Sequence, residues 1–291
     1  MAVYTIHNDV LKVQISDKGA ELQSIFNTST ELEYLWKGDA AFWAKKSPIL
    51  FPIVGTLKNN TYYYQQKAYQ LNRHGFARDM LFAVEELDET SIRFILRSNA
   101  ETLQVYPFSF VLIVHYTLKN NALSVTYTVK NTGENEMYFS LGAHPAFAVP
   151  LTENTNYEQY SLLFNHYENA GIWPLTADGL IQTQPVSFLN NSNRIDLKKS
   201  LFYGDALVFK HLQSSIIQLR NNQNEHGLTF TYHHFPYLGV WAAKDADFVC
   251  IEPWCGIADS ENTTQQLSEK EGIERLAAAG VFERSWQVSV Y

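Results

Sequence analysis

Three short polar segments interrupt apolar stretches of this sequence and carry residue types suited to acid–base chemistry. The segments are 72–79 (NRHGFARD), 139–147 (FSLGAHPAF) and 248–256 (FVCIEPWCG). They contain His74, His144 and Glu252. A carboxylate inside an apolar strand is costly to bury without a partner, because burial disfavours its charged form. Since such costly placements concentrate at functional sites, the three residues together predict an acid–base centre.

Each of these residues also has a structural explanation when it is taken alone. His74 could cap a turn, and His144 could be a hydrogen-bonded core histidine. Glu252 could pair with an arginine for structural reasons. The coincidence of three such residues in one chain favours the functional interpretation.

Aromatic side chains near these segments could form a sugar-binding surface, because the axial C–H groups of a sugar ring pack well on flat aromatic faces. The candidates are Trp254, Trp241, Phe147 and Phe51. Ordinary core packing explains the same residues equally well, so both interpretations stay open.

Several other chemistries are excluded by missing motifs. The sequence has no GxGxxG or Walker loop, no GxSxG elbow, no HExxH and no paired CxxC. His233 and His234 are adjacent, and neighbours in a strand point to opposite faces, so they are poorly placed to share a metal. The sequence therefore predicts neither a metal nor another cofactor.

Composition limits the partners and the location. Thirty acidic against 22 basic residues give a net charge of −8, which disfavours nucleic acid and anionic membranes. No apolar run approaches a membrane span, and the opening residues do not resemble a signal peptide, so we expect a cytoplasmic protein. Cys250 and Cys255 are then expected to be free or buried thiols.

Alternating patterns predict an all-β fold. Residues 108–118 and 122–129 read as two strands joined by a tight turn, and further strand pairs are predicted at 61–71, 83–97 and 215–232. Segments 29–37 and 264–279 carry helix formers and are the two candidate helices. Because no linker or repeat divides the chain, residues 1–291 are interpreted as one domain.

The ordered motifs of the chain resemble the aldose 1-epimerase (galactose mutarotase-like) superfamily, in its short lactose-operon-associated and hexose-phosphate-mutarotase-like branch. The matching segments run from DKGAEL at 17–22 through SPILFPIVG at 47–55, HGFARD at 74–79, LGAHPAF at 141–147, DALVF at 205–209 and CIEPWCG at 250–256. The resemblance implies a large antiparallel β-supersandwich with an open cleft for a hexose, and interconversion of α and β anomers without a cofactor.

Roles for individual residues also follow from this resemblance. It implies that Glu252 is the catalytic base, that His144 is the general acid, and that His74 binds near the ring oxygen. Asp205 is implied to bind sugar hydroxyls, and Arg78 matches the arginine of the HGFAR motif. Trp254 and Phe147 are the aromatic candidates for substrate binding.

Alternatives remain for the reaction and the substrate. A glycoside hydrolase would need a second carboxylate, for which Asp205 or Asp259 is available, and a sugar-binding protein without turnover would need no acid or base. Free or loosely specified hexoses are favoured over hexose 6-phosphates, because segment 47–55 (SPILFPIVG) lacks the extra arginine expected beside a phosphate clamp. Nearby cations could still form a phosphate clamp, and they are Arg73, Arg78, Lys45, Lys46 and Lys58. Monomer and homodimer both stay open.

Overall fold

Antiparallel β-strands dominate the computed structural model, which describes all 291 residues. The strands are β1 (Val3–His7), β2 (Leu11–Ser16), β3 (Leu22–Asn27), β4 (Leu32–Glu33), β5 (Ile49–Leu50), β6 (Thr61–Tyr64), β7 (Lys67–Gln70), β8 (Ala83–Leu87), β9 (Ser91–Arg97), β10 (Phe110–Lys119), β11 (Ala122–Asn131), β12 (Met137–Phe139), β13 (Leu141–Ala143), β14 (Ala146–Ala148), β15 (Tyr160–Ile172), β16 (Val186–Asp196), β17 (Leu207–Lys210), β18 (Ile216–Asn221), β19 (Gly227–Thr231), β20 (Tyr237–Trp241), β21 (Phe248–Cys255), β22 (Glu274–Leu276) and β23 (Val281–Val290). The predicted all-β class is confirmed.

Helical structure is confined to short pieces. The one α-helix, α1 (Ala100–Val105), begins at Asn99, whose side chain accepts hydrogen bonds from the first-turn backbone. Single 3₁₀ turns lie at Lys58–Asn60, Ala77–Asp79, Tyr157–Gln159, Lys199–Phe202 and Leu267–Glu269. None of these helices has the length and hydropathy needed to cross a membrane.

The largest sheet has nine strands in the order β16-β15-β18-β19-β23-β11-β10-β9-β8. Its β10–β11 hairpin turns at Asn120 and Asn121, as the alternating pattern predicts, and Lys119 pairs with Ala122. A separate hairpin, β6–β7, turns at Gln65 and Gln66, whose φ angles of 49° and 63° suit a tight hairpin turn.

A six-stranded sheet carries the catalytic candidates. Five of its strands follow the order β17-β20-β21-β13-β5, and β14 also pairs with β21. Every residue of β21 is buried, which explains why this strand reads as an apolar run interrupted only by Glu252. Small residues of β13 and β20 pair with β21 at Gly142 and Gly239.

Both predicted helices are wrong. Segment 264–279 contains one 3₁₀ turn and then β22, which pairs with β12. Gly272 stops any helix there, because its φ is +68° and a Cβ at this position would lie 2.6 Å from the Tyr237 ring. Segment 29–37 instead places β4 beside β3, and Glu31 has a φ of 56°. Pairing with neighbouring strands overrides the helix propensity of both segments.

Candidate active site

A cleft of about 620 Å³ opens beside the six-stranded sheet and brings the three polar segments together. His74, His144 and Glu252 all line this cleft, although each side chain is almost fully buried. Parts of segments 175–181 and 203–208 complete the lining. The volume falls within the ~300–1,000 Å³ typical of small-molecule sites.

His144 and Glu252 face each other because of strand register. Gly142 pairs with Trp254 and Ala146 pairs with Cys250, so His144 falls opposite Glu252 between these two pairs. The distance from His144 Nε2 to Glu252 Oε2 is 3.2 Å. The two side chains are therefore within reach of a shared proton.

Burial governs the protonation of this pair. It lowers the pKa of His144 to about 3, and it raises the pKa of Glu252 well above its ordinary value of 4.5. The Arg73 guanidinium opposes the Glu252 shift, but burial is the larger cause. Because both isolated charges are disfavoured, burial favours the state in which the pair holds one proton and is neutral overall.

His74 is held in one tautomer by the backbone. The Gly55 backbone N–H donates to the ring atom His74 Nδ1 at 3.1 Å, and the backbone N–H of His74 donates to the Gly55 carbonyl at 2.9 Å. Burial lowers the pKa of His74 well below 6.5, helped by His144 and by the cations of Arg73 and Arg78. Arg73 Nε also lies 3.4 Å from His74 Nε2, but a neutral ring cannot accept a hydrogen bond at both nitrogens. The shorter bond, from the fixed Gly55 backbone, assigns the proton to Nε2, so His74 is a hydrogen-bond donor through Nε2.

Aromatic rings fix the His144 imidazole in place. The Trp43 ring stacks on it with centroids 5.0 Å apart and planes 28° apart, and Trp241 approaches edge-on at 5.6 Å. The His74 ring lies 5.7 Å away at 83°. Since His144 Nδ1 is buried without a hydrogen-bond partner, packing on these rings orients the imidazole.

Two arginines and an aspartate form the polar part of the cleft. Arg73 Nη2 lies 3.5 Å from Asp205 Oδ1, and the Ala206 N–H donates to the same oxygen at 2.7 Å. Arg78 Nη2 donates to the Arg73 carbonyl at 2.9 Å, and its Nε lies 3.6 Å from Asp79 Oδ2. Arg73 is therefore paired within the chain, whereas Arg78 Nε is buried without a hydrogen-bond partner.

Trp254 lines the cleft and is held between two glycines. A Cβ at Gly142 would lie 2.7 Å from its ring, and a Cβ at Gly239 would lie 2.4 Å from it. A residue larger than glycine at either position would therefore force the indole to move. The Trp254 side chain also acts on Glu252, whose pKa it lowers against the larger effect of burial.

One cluster has ligand types that a metal could use. His144, Cys250 and Glu252 each offer one ligand atom, and these atoms lie within 4.8 Å of one another. Burial, and then the neighbouring Glu252, raise the pKa of the Cys250 thiol well above 9.0. A metal would have to displace protons from this thiol and from the His144–Glu252 pair.

Comparisons with known proteins agree with this geometry. The aldose 1-epimerase family model matches residues 2–267. The chain belongs to the aldose 1-epimerase family. It is 35% identical to the plasmid-encoded protein LacX of Lactococcus lactis subsp. lactis, across 98% of both chains.

Solved structures of family relatives superpose closely on this family member. A galactose mutarotase related enzyme from Lactobacillus acidophilus is 34% identical, with a TM-score of 0.95, covering 100% of this chain and 97% of that one. A galactose mutarotase-like protein from Lactobacillus casei ATCC 334 is 31% identical, with a TM-score of 0.94 and complete coverage of both chains. The galactose mutarotase-like architecture implied by the sequence motifs is thereby confirmed.

The structure brings most of the sequence-predicted site residues of this family member to the cleft. The lining includes His74, His144, Glu252, Arg78, Asp205, Trp254 and Trp241. Phe147 is the exception among the predicted site residues: it is fully buried and packs on Phe230 at 5.7 Å, so the expectation that it contacts a sugar is corrected. Phe51 is also fully buried and packs on Phe110 at 5.0 Å.

Sequence reasoning did not identify the cleft residue Trp43, and it gave Arg73 no role beyond a candidate phosphate clamp. Trp43 lies 101 positions before its stacking partner His144, and no periodic signal links the two. Arg73 precedes His74 directly and was only one of several cations near this motif. A search for an aromatic residue beside each predicted catalytic segment would not have found Trp43.

Proposed function

We propose that this protein is an aldose 1-epimerase that interconverts the α and β anomers of a hexose by opening and closing the sugar ring. The observation that carries the proposal is the buried His144–Glu252 pair in the cleft, with 3.2 Å between Nε2 and Oε2. Mutarotation needs one base and one acid near the anomeric carbon, and no redox step. Family membership supports the same reaction.

The proposed reaction begins with a proton shift within the pair. In the neutral resting state Glu252 holds the shared proton. When a sugar displaces water from the cleft, this proton moves to His144 Nε2, which produces a carboxylate beside an imidazolium without changing the net charge. The pair is then an adjacent base and acid.

Ring opening follows from these two groups. The Glu252 carboxylate removes the proton from the C1 hydroxyl, and the electron pair of that O–H bond forms the C1 carbonyl. The C1–O5 bond breaks, and O5 takes the proton of His144. Opening returns the pair to its neutral state, with the proton on Glu252. After the C1–C2 bond rotates, the same groups act in reverse, and O5 attacks the other face of the aldehyde.

His74 has a supporting role in this proposal. Its Nε2–H tautomer can donate a hydrogen bond to an oxygen that gains negative charge during opening. A neutral donor suits this role, because it stabilises the oxygen without competing with His144 to protonate it. The Asp205 carboxylate orients sugar hydroxyls, since both of its hydrogen bonds within the chain fall on Oδ1 and leave Oδ2 available.

We propose free or loosely specified hexoses as the substrate class, with hexose 6-phosphates as the alternative. A phosphate would need convergent and unpaired cations. Arg73 instead contacts Asp205, and Arg78 contacts Asp79. Lys45 contacts Glu21 and Asp79 and is not part of the cleft lining.

Two other functions are less well supported. A glycoside hydrolase needs a second carboxylate roughly 5–9.5 Å from the first. Asp259 is unsuitable, because it is buried in an ion pair with Lys270 at 2.8 Å. A binding protein without turnover would have no use for a buried acid–base pair, whose desolvation is costly.

Polarimetry tests the proposal. Freshly dissolved α-glucose, α-galactose and their 6-phosphates are followed with and without the purified protein. The proposal expects faster approach to the equilibrium rotation for at least one free hexose, in proportion to protein concentration. Rates equal to the buffer rate for all four sugars would overturn it.

A further inference from the structure

The proposed active site depends on a loop that is anchored from outside the cleft. Residues 55–58 run between β5 and β6, and they include Gly55, which donates to His74 Nδ1. Gly55 has a φ of +71° and is pressed against Ala258, so that a Cβ on Gly55 would lie 2.5 Å from the Ala258 Cβ. The position of the Gly55 N–H therefore depends on what holds these two segments together.

A buried ion pair lies directly behind this contact. Lys270 Nζ donates to Asp259 Oδ1 at 2.8 Å, and the two side chains are 3% and 2% exposed. The other carboxylate oxygen, Asp259 Oδ2, accepts the Lys58 N–H at 3.0 Å. Two charged groups removed from water require this degree of mutual pairing and hydrogen bonding.

The backbone of Asp259 makes two further hydrogen bonds, one to the loop at 55–58 and one to the cleft lining. Its N–H donates to the Thr56 carbonyl at 2.9 Å, which ties it to the loop that orients His74. Its carbonyl accepts the Ile181 N–H at 2.8 Å, which ties it to a segment that lines the cleft. One residue therefore joins the His74 loop, the cleft lining and the Lys270 ammonium.

We propose that Asp259 and Lys270 are positioning residues that hold the Gly55 N–H on His74 Nδ1 and thereby keep His74 in its Nε2–H tautomer. The proposal rests on the proposed function only for its effect on turnover; its effect on the His74 tautomer is independent of the reaction. Neither residue touches the sugar. Without this anchor, residues 55–58 can move, and the His74 ring loses the donor that fixes its proton on Nε2.

Lys58→Pro removes the hydrogen bond between the Lys58 backbone and Asp259 while it keeps both charged side chains of the buried ion pair. Proline lacks the N–H that binds Asp259 Oδ2, and Lys58 opens a 3₁₀ turn, a position where proline is well tolerated. The preceding Leu57 is extended, with φ −89° and ψ 143°, as a residue before proline prefers. Lys58→Ala is the matched control, because it keeps the N–H and loses only the side-chain contact to the Glu261 carbonyl.

The readouts are the ¹⁵N chemical shifts of the His74 imidazole, which distinguish its two tautomers, and the kinetic constants for anomer exchange. We expect Lys58→Pro to populate the Nδ1–H tautomer and to lower kcat at least about fivefold, with KM changed less than about twofold. Lys58→Ala should match the wild type in both readouts. Wild-type shifts and kcat in a folded Lys58→Pro protein would overturn the positioning role.

A second pair of variants removes the ion pair itself. Asp259→Leu with Lys270→Met replaces both charges by apolar groups of similar size, so no isolated charge is left buried. Asp259→Asn with Lys270→Met also removes both charges but keeps an oxygen that can accept the Lys58 N–H. The proposal expects the leucine variant to lose the Nε2–H tautomer and the asparagine variant to retain it. Equal tautomer populations in the two variants would contradict it.

Generic destabilisation is controlled with Glu168→Gln. Glu168 is also a buried carboxylate, 2% exposed, and accepts the Ser214 N–H at 2.7 Å, but it does not line the cleft. Its substitution should lower the melting temperature without changing the His74 shifts. If the wild-type protein catalyses no anomer exchange, the proposed function fails, and the tautomer measurement still decides the positioning role.

Discussion

His144 Nε2 and Glu252 Oε2 lie 3.2 Å apart in a nearly solvent-free part of the cleft, and no bound water is needed to connect them. Burial disfavours an isolated charge on either group. The two side chains therefore behave as one titrating unit that holds a single proton over a wide pH range.

The pH dependence of turnover should be broad. Below the lower pKa, which is about 3 for His144, both groups are protonated and no base is present. Above the upper pKa, which for Glu252 is raised well above 4.5, both groups are deprotonated and no acid is present. A profile of kcat/KM against pH should therefore reach its plateau well below pH 6.5 and fall only on the alkaline side, where Glu252 loses its proton. A profile that rises with an apparent pKa near 6.5 would instead indicate a lone histidine acting as the base.

The stability of Glu252→Gln should exceed that of the wild type at neutral and alkaline pH. In the unfolded chain Glu252 loses its proton near pH 4.5, whereas in the folded chain it keeps the proton to a much higher pH. The folded wild type thus binds more protons, and its free energy of unfolding falls as pH rises above 4.5. Glutamine does not titrate.

Melting temperatures of both proteins between pH 4 and pH 8 check this difference. The advantage of Glu252→Gln should grow with pH and disappear near pH 4, where glutamate is also protonated in the unfolded chain. Other groups cancel in the comparison, because both proteins contain them. A constant difference across the range would mean that Glu252 is ionised in the folded protein.

His144→Asn should lower kcat by about 10²-fold or more and change KM much less, because donation to O5 matters most while the C1–O5 bond breaks. The asparagine amide keeps a polar group beside Glu252 but is not an acid. Initial rates over a range of sugar concentrations separate the two constants. An unchanged kcat with a raised KM would make His144 a binding residue and move the acid to His74.

Arg78→Ala should affect glucose and glucose 6-phosphate to similar extents. The Arg78 guanidinium donates to the Arg73 carbonyl and lies beside Asp79. We therefore expect it to support the wall of the cleft and not to bind the phosphate group of a sugar. The ratio of kcat/KM for the two sugars, at low and high salt, measures this. A preference for the phosphate of tenfold or more, lost in Arg78→Ala or at high salt, would establish the phosphorylated sugar as the substrate.

The sequence predicted the fold class because several of the strand pairs are local hairpins. Hairpins such as β6–β7 and β10–β11 show their period and their turn residues directly. The helix predicted over 264–279 was wrong because the competing partner, β12, lies more than 130 residues earlier in the chain. A local pattern cannot reveal a strand that forms only when a distant partner is present.

The site was predicted in part for the same reason. Glu252 and His144 stand out locally, as a carboxylate and an imidazole in apolar surroundings. Their contact follows from the register of β13 and β14 on β21, which no single segment encodes. Trp43 and the Asp259–Lys270 pair gain their positions only from tertiary packing, and a buried Phe147 cannot be told from an exposed one by its type alone.

Anomer exchange in wild-type protein and in Glu252→Gln tests the central claim most directly. Proton NMR exchange spectroscopy at chemical equilibrium measures the rate between the α and β forms of glucose or galactose, and line broadening in the same samples reports sugar binding. Wild type should accelerate exchange in proportion to protein concentration, and Glu252→Gln should be slower by at least about 10²-fold while it still binds sugar. Near-wild-type exchange in Glu252→Gln, or sugar binding by the wild type with no acceleration for any hexose, would contradict the account.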